Sequence, residues 1–119
     1  MDFRRGDVLW VDFDPATGTE VRKVRPAIVV SNDAAIYAIA RMVVVPTTSN
    51  TKKCYPSEAH VTINGRVSKA MIDQIQTASL KRVHGWLGRV DAPDMESVEK
   101  VILSYLGLSK YLNRAQEKS

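Results

Sequence analysis

Polar and apolar residues alternate along Asp7-Val8-Leu9-Trp10-Val11-Asp12-Phe13, which predicts a strand with one buried face. In that phase Trp10 reads as a core residue. The alternation stops at Asp14-Pro15-Ala16-Thr17-Gly18, a turn cluster, and a polar stretch from Thr19 to Arg25 follows. The apolar run Pro26-Ala27-Ile28-Val29-Val30-Ser31 predicts the second strand. The connection between them is about ten residues long, too long for a tight hairpin and of the kind that small domains keep for function. Ser31-Asn32-Asp33 can cap a short helix through Ala34–Ala38. Arg41–Pro46 reads as a third strand, apolar enough to be central, with Pro46 at its end or on an edge because proline cannot donate to a ladder.

A second long polar loop runs from Thr47 to Ser57. His60–Ile63 alternates again, Asn64-Gly65 is a hairpin signal, and Arg66–Ile75 reads as one further strand or two. Leu80–Val83 predicts a helical turn and His84–Val90 a strand. The last element is the clearest helix. Asp91 or Asp94 can cap it, Pro93 suits its first turn, and Gly107 suits its stop. Met95, Val98, Val101, Ile102, Tyr105 and Leu106 fall on one stripe at spacings of three and four. The pattern is that of an α+β fold, a small barrel or twisted sheet of five to seven strands with short helices and a C-terminal amphipathic helix.

Composition narrows the class. The 119 residues, 45% hydrophobic and 25% charged, are expected to form one domain over 1–112, followed by a polar tail over 113–119. No apolar run approaches the ~18–20 residues of a bilayer span, and the first residues lack a signal-peptide core. With a single cysteine, Cys54, there is no intrachain disulfide framework, and the expected location is cytoplasmic. The net charge of +4 is unevenly spread: residues 21–90 hold eleven Lys and Arg against three Asp and Glu, between mildly acidic ends. Such a middle suits a polyanion-binding face, and equally an ordinary solvated surface.

Most catalytic constellations are missing. His60 and His84 stand far apart, outside any zinc-binding spacing, and no metal or other cofactor is expected. Cys54 has lysines beside it but no histidine near in sequence to activate it, and neither a Walker-type phosphate loop nor a G-x-S-x-G elbow occurs. What remains is Arg25 before Pro26, Thr48 after a strand, and Glu20 in the long loop that leads to Arg25. The proline forces Arg25 into extended backbone, and a rigidly mounted guanidinium suits phosphate oxygens. Thr48 offers a hydroxyl to the same phosphoryl group, and Glu20 is the nearest carboxylate able to take a proton. Each also has an ordinary reading: Arg-Pro starts many strands, Thr favours strands, and an exposed Glu faces water.

Arg5–Pro15 through Gly18-Thr19-Glu20, then Lys23–Asn32, resembles the start of MazF/PemK toxins. Val44–Ser49, Asp73-Gln74-Ile75-Gln76-Thr77 and the Gly107-Leu108 pair after the last helix extend the resemblance over roughly residues 4 to 108. It implies an SH3-like barrel that forms a homodimer, and a metal-independent endoribonuclease that is the toxin of a type II toxin–antitoxin system. Its implied partners are single-stranded RNA and a cognate antitoxin, with no membrane. The family's arginine before proline, strand-end threonine and loop glutamate fall on Arg25, Thr48 and Glu20. Attack of a ribose 2′-OH on the adjacent phosphate would leave a 2′,3′-cyclic phosphate and a 5′-OH. Arg25 and Thr48 are placed where charge builds on the phosphate, Glu20 is a candidate base, and the leaving-group acid stays unassigned.

One branch of the family has a histidine where Thr19 stands and an arginine where Met71 stands, so its acid–base assignment does not carry over. RNA contacts are expected from Thr19, Arg22 and Lys23 in the first loop and from Ser49, Asn50, Lys52 and Lys53 in the second. Lys69 and Lys81 join them, and Asp73 and Gln74 read as RNA-contacting or structural. Trp86 reads as a dimer or core contact or as a stacking surface. Two rivals stand beside this reading. A topoisomerase-poisoning toxin of the same fold would need a different C-terminal end from Asn113–Ser119, and a non-catalytic RNA-binding barrel would not need Arg25, Thr48 and Glu20 together.

Overall fold

The computed structural model describes residues 2–13 and 23–112. Its strands are β1 (Asp7–Asp12), β2 (Val24–Val29), β3 (Arg41–Thr48), β4 (Glu58–Ile63), β5 (Arg66–Met71), β6 (Gln76–Ser79) and β7 (Val83–Arg89), with helices α1 (Asp33–Ile39) and α2 (Ala92–Tyr105). Short 3-10 turns at Ile72–Gln74 and Leu80–Arg82 flank β6. All strand pairings are antiparallel, in the order β4-β5-β3-β2-β1-β7 with β6 also on β3. The result is a curled sheet, a half-barrel with helices, in the α+β class that the sequence predicts.

Alternation explains the layers, but both faces of the sheet are covered. Val8, Ile28 and Val45 turn to a core shared with Ile72, Met95 and Val98, under α2. Leu9, Val11, Ala27, Val29 and Val44 turn the other way, to a core with Phe3, Ile36 and Met42, under α1. Trp10 shares its face with Val8 but stays 37% exposed, which corrects its reading as a core residue. The stripe on α2 likewise buries Met95 and Val98, part-buries Val101 and Ile102, and leaves Tyr105 and Leu106 exposed. Asn32 caps α1 by accepting from the Ala35 amide at 2.8 Å, and Asp91 caps α2 by accepting from Asp94 at 2.9 Å.

Pro46 departs most from expectation: it lies inside β3, a central strand, opposite Ala27. Register explains why this is tolerated. The Val30 amide donates to the Val43 carbonyl at 2.9 Å, so hydrogen-bonded pairs alternate from there, and the Ala27–Pro46 pair is a non-hydrogen-bonded one. The missing N–H of Pro46 therefore faces away from β2. On that side β3 changes partner: β6 stops at Val44 and β5 begins at Thr47. The proline fills a gap in the ladder that already exists.

The far ends of the sheet also approach each other. Asn64 and Gly65 have φ of 53° and 78°, the two left-handed residues of a tight hairpin between β4 and β5. The Asn64 amide reaches across to donate to the Leu87 carbonyl in β7 at 3.0 Å. A Cβ on Gly88 would lie 2.6 Å from Asn64 Oδ1, so glycine is what permits this contact.

Candidate active site

β2 and β3 place the predicted pair. Continuing the Ala27–Pro46 register by two residues sets Arg25 opposite Thr48. This position is again non-hydrogen-bonded, where facing Cβ atoms come within ~4.5–5.5 Å. On its other side Thr48 is opposite Lys69 of β5, and Lys69 is opposite His60 of β4. A polar row, Arg25-Thr48-Lys69-His60, thus crosses four strands on one face of the sheet.

Arg25 is exposed and its side chain makes no hydrogen bond or ion pair with any other described residue, so its guanidinium is available to an incoming anion. It shares a cavity of about 270 Å³ with Phe13, Lys23, Pro46, Gln74 and Gln76. Gln74 joins it from the 3-10 turn after β5, where Asp73 is exposed. Thr48 is half-buried, and its hydroxyl oxygen accepts from the Asn50 amide at 3.2 Å. Asn50 Oδ1 in turn accepts from the Lys52 amide at 3.3 Å, which shapes the start of the β3–β4 loop. Ser49, Asn50, Lys52 and Lys53 are exposed along this loop.

The remaining sequence-predicted residues divide. Glu20, Thr19 and Arg22 lie outside the described residues; of their loop the flanks are seen, joined by the Phe13 amide donating to the Lys23 carbonyl at 2.9 Å. That bond sets both flanks beside Arg25. Lys81 is exposed in the 3-10 turn before β7. Lys69 is only 7% exposed and pairs with Glu58 at 3.1 Å, so its charge is answered inside the protein. Burial works to raise the Glu58 pKa, but the Tyr55 amide, the Lys69 ammonium and the His60 charge together hold it below 4.5.

Reading the sequence residue by residue missed Phe13, Gln76 and His60. Phe13 continues the β1 alternation and Gln76 sits two residues after Gln74, so their proximity was latent in the pattern. His60 joins the row only through the pairing of β4 with β5. Among the described residues no three His, Cys, Asp or Glu side chains gather where they could hold a metal. Basic charge elsewhere is partly answered: Arg89 pairs with the buried Asp7 at 2.9 Å and Arg5 with Glu99 at 2.6 Å. Lys23, Arg25, Lys52, Lys53 and Lys81 have no carboxylate partner among the described residues.

Behind this face lies a larger cavity of about 520 Å³, lined by Trp10, Pro26, Thr47, Arg66 and Leu87 among others. Thr47 points there, donating to the Pro26 carbonyl at 3.0 Å, whereas Thr48 points to the Arg25 side. Adjacent threonines at the end of β3 thus serve opposite faces. Trp86 stays 58% exposed on β7.

Comparison with known proteins agrees with the geometry. The profile of the PemK-like, MazF-like toxins of type II toxin–antitoxin systems matches residues 4–106. The chain is 37% identical to endoribonuclease MazF9 of Mycobacterium tuberculosis over 114 residues, covering 88% of this chain and 97% of that one. Among solved structures, MazF from Deinococcus radiodurans matches with a TM-score of 0.76 at 26% identity, covering 90% of this chain and 98% of that one. A MazE–MazF structure from the same organism matches with a TM-score of 0.74 at 26% identity, covering 91% and 99%. The chain belongs to the PemK-like, MazF-like toxin family of type II toxin–antitoxin systems.

Proposed function

We propose that this MazF-type toxin endoribonuclease cuts single-stranded RNA, mRNA above all, at the Arg25–Thr48 rim and so inhibits translation and growth. The observation that carries the reading is an exposed guanidinium on β2, without a partner among the described residues, and a hydroxyl at the end of β3, which the continued β2–β3 register sets opposite each other. In the reaction the ribose 2′-oxygen forms a bond to the adjacent phosphorus, the bond from phosphorus to the 5′-oxygen breaks, and the products carry a 2′,3′-cyclic phosphate and a 5′-OH. The 2′-OH proton goes to a base and the leaving 5′-oxygen gains one. Arg25 binds the non-bridging oxygens through its planar fork of N–H donors, and the Thr48 hydroxyl adds a further donor as their charge grows. Glu20 is the proposed base, a carboxylate in the loop that leads to Arg25. Arg25 is a poor acid because a guanidinium holds its proton tightly, so charge stabilisation is its assigned role.

Lys23, Lys52, Lys53 and Lys81 supply phosphate attraction, with Arg22, Thr19, Ser49, Asn50, Asp73 and Gln74 as further RNA contacts. Every assigned role uses a side chain, so cutting is expected to persist in excess chelator. The partners proposed are a cognate antitoxin with a flexible acidic and apolar segment, and a second copy of the chain. Exposed Tyr105, Leu106, Leu108 and Tyr111 fit a chain with apolar surface to cover. The work is placed in the cytoplasm, where the RNA is; among the described residues no helix is long and apolar enough to cross a membrane. The test is cleavage of a long single-stranded RNA by the purified protein in EDTA, with the fragment 5′ ends sequenced. Discrete cuts lost in Arg25→Ala, with its fold intact by circular dichroism, are the expected result. Intact RNA with the wild type, or undiminished cutting by the variant, overturns the reading.

A further inference from the structure

The loop between β3 and β4 leaves directly from Thr48 and carries two exposed lysines, Lys52 and Lys53. Its return is held from beneath by one buried charge pair. The Lys69 ammonium lies 3.1 Å from Glu58 Oε1, donates to the Lys53 carbonyl and sits 5.7 Å from the centre of the Tyr55 ring. The same Glu58 Oε1 accepts from the Tyr55 amide at 2.9 Å, and the Glu58 amide donates back to the Tyr55 carbonyl at 2.9 Å. Two loop residues, Lys53 and Tyr55, are thereby fastened to β5 at the residue opposite Thr48.

Two physical points decide what this arrangement does. Lys69 is itself a poor phosphate ligand, since its donors are directed at Glu58 and Lys53 and it is 7% exposed. A buried ion pair also adds little net stability over an apolar pair of the same volume, because desolvation offsets the attraction. What it supplies is direction: a fixed charge on each side orients the backbone groups that bond to it.

We propose that Lys69 and Glu58 are positioning residues for RNA binding, a clasp that fixes residues 53–55 beside Thr48 and so holds the Lys52 and Lys53 ammonium groups against the RNA phosphates flanking the cut. The proposal rests on the endoribonuclease reading above. Losing the clasp loosens the loop and weakens substrate binding, while Arg25 and Thr48 stay on their strands and the chemical step continues.

The experiment compares wild type, Lys69→Met, Lys69→Arg, Glu58→Gln and the Lys69→Met/Glu58→Gln double variant. It reads kcat and KM on a short fluorogenic single-stranded RNA and, without RNA, the rate of tryptic cleavage after Lys52 and Lys53. Lys69→Met is expected to raise KM about tenfold with kcat changed less than about threefold, and to speed loop cleavage. Glu58→Gln shifts both in the same direction, the double variant is no worse than Lys69→Met, and Lys69→Arg recovers most of the KM. Should Lys69→Met fail to fold, Glu58→Gln and Lys69→Arg carry the same comparison. Wild-type KM and wild-type proteolysis in the variants of an active enzyme overturn the clasp. So does a higher KM with unchanged proteolysis and a salt slope lower by about 0.7, the mark of a direct phosphate contact by Lys69. A wild type that cuts no RNA overturns the endoribonuclease reading instead, and the proteolysis comparison still decides the clasp.

Discussion

At the scale of single residues the division of labour is between donors aimed outward and donors aimed inward. Arg25 is exposed and its side chain has no partner among the described residues, whereas Lys69, Arg89 and Arg5 are tied to Glu58, Asp7 and Glu99. The outward group is the one whose chemistry depends on shape as well as charge. Arg25→Lys keeps the charge but loses the planar fork, and kcat on RNA is expected to fall about 10²-fold or more. Thr48→Val keeps the volume and removes the hydroxyl. It should cost a similar factor in kcat, together with the acceptor that the Asn50 amide now uses. Stopped-time cleavage assays at saturating RNA check both. Asp7 shows the inward kind. Its carboxylate accepts from the Arg4 amide at 2.7 Å and from Arg89 at 2.9 Å while nearly buried. Asp7→Ala leaves the Arg4 amide without that acceptor and is expected to lower stability by about 1–3 kcal/mol in urea unfolding, without touching the RNA site.

At the scale of elements, β3 organises the site. It begins against β6, crosses the gap that accommodates Pro46, and ends between β2 and β5, with Thr48 paired to Lys69 and, by continued register, opposite Arg25. The loop that follows inherits its position from β4 and β5 through Glu58. Because Glu58 has its pKa held below 4.5, its ionised form is favoured by the fold, and the stability it contributes is present above about that pH. As pH falls through the depressed value, that contribution is lost and the loop is released. Tryptic nicking needs neutral pH, so hydrogen exchange of the Tyr55 amide is the suitable measure. Its protection relative to the core is expected to fall on acidification below pH 4.5, and Glu58→Gln should remove that pH dependence. In the sequence the strand pattern of β3, β4 and β5 was legible, since each alternates or runs apolar. β6 was less so, because Gln76-Thr77-Ala78-Ser79 carries one buried residue and reads as a continuation of the segment before it.

At the scale of the whole molecule, the sheet is closed enough that its two end strands touch. Asn64 at the β4–β5 turn bonds to Leu87 on β7, and Gly88 makes room for it. Gly88→Ala places a methyl group against Asn64 Oδ1 and forces that side chain off the Leu87 carbonyl. The expected loss is about 1 kcal/mol, read as a lowered Tm, and in an Asn64→Ala background the Gly88→Ala change should cost much less. The same closure separates two faces with different duties. One carries Arg25, Thr48, Lys69 and His60 in a row, and the other carries the cavity lined by Trp10, Thr47 and Arg66.

The sequence by itself determined most of the elements, the fold class and the chemical identity of Arg25 and Thr48. Periodicity, caps and turn residues act over a few positions, and a residue before proline announces its own backbone. It also carried the family motifs, because those are local strings. Only the tertiary structure decided which of the basic residues stay free. Pairing β5 with both β3 and β4 turned Lys69 from an apparent surface charge into a buried one, and register set Thr48 and Thr47 on opposite faces. Those outcomes depend on contacts between residues distant in the chain. Alternation along one strand tells which residues share a face, but only the neighbouring strands determine what that face meets.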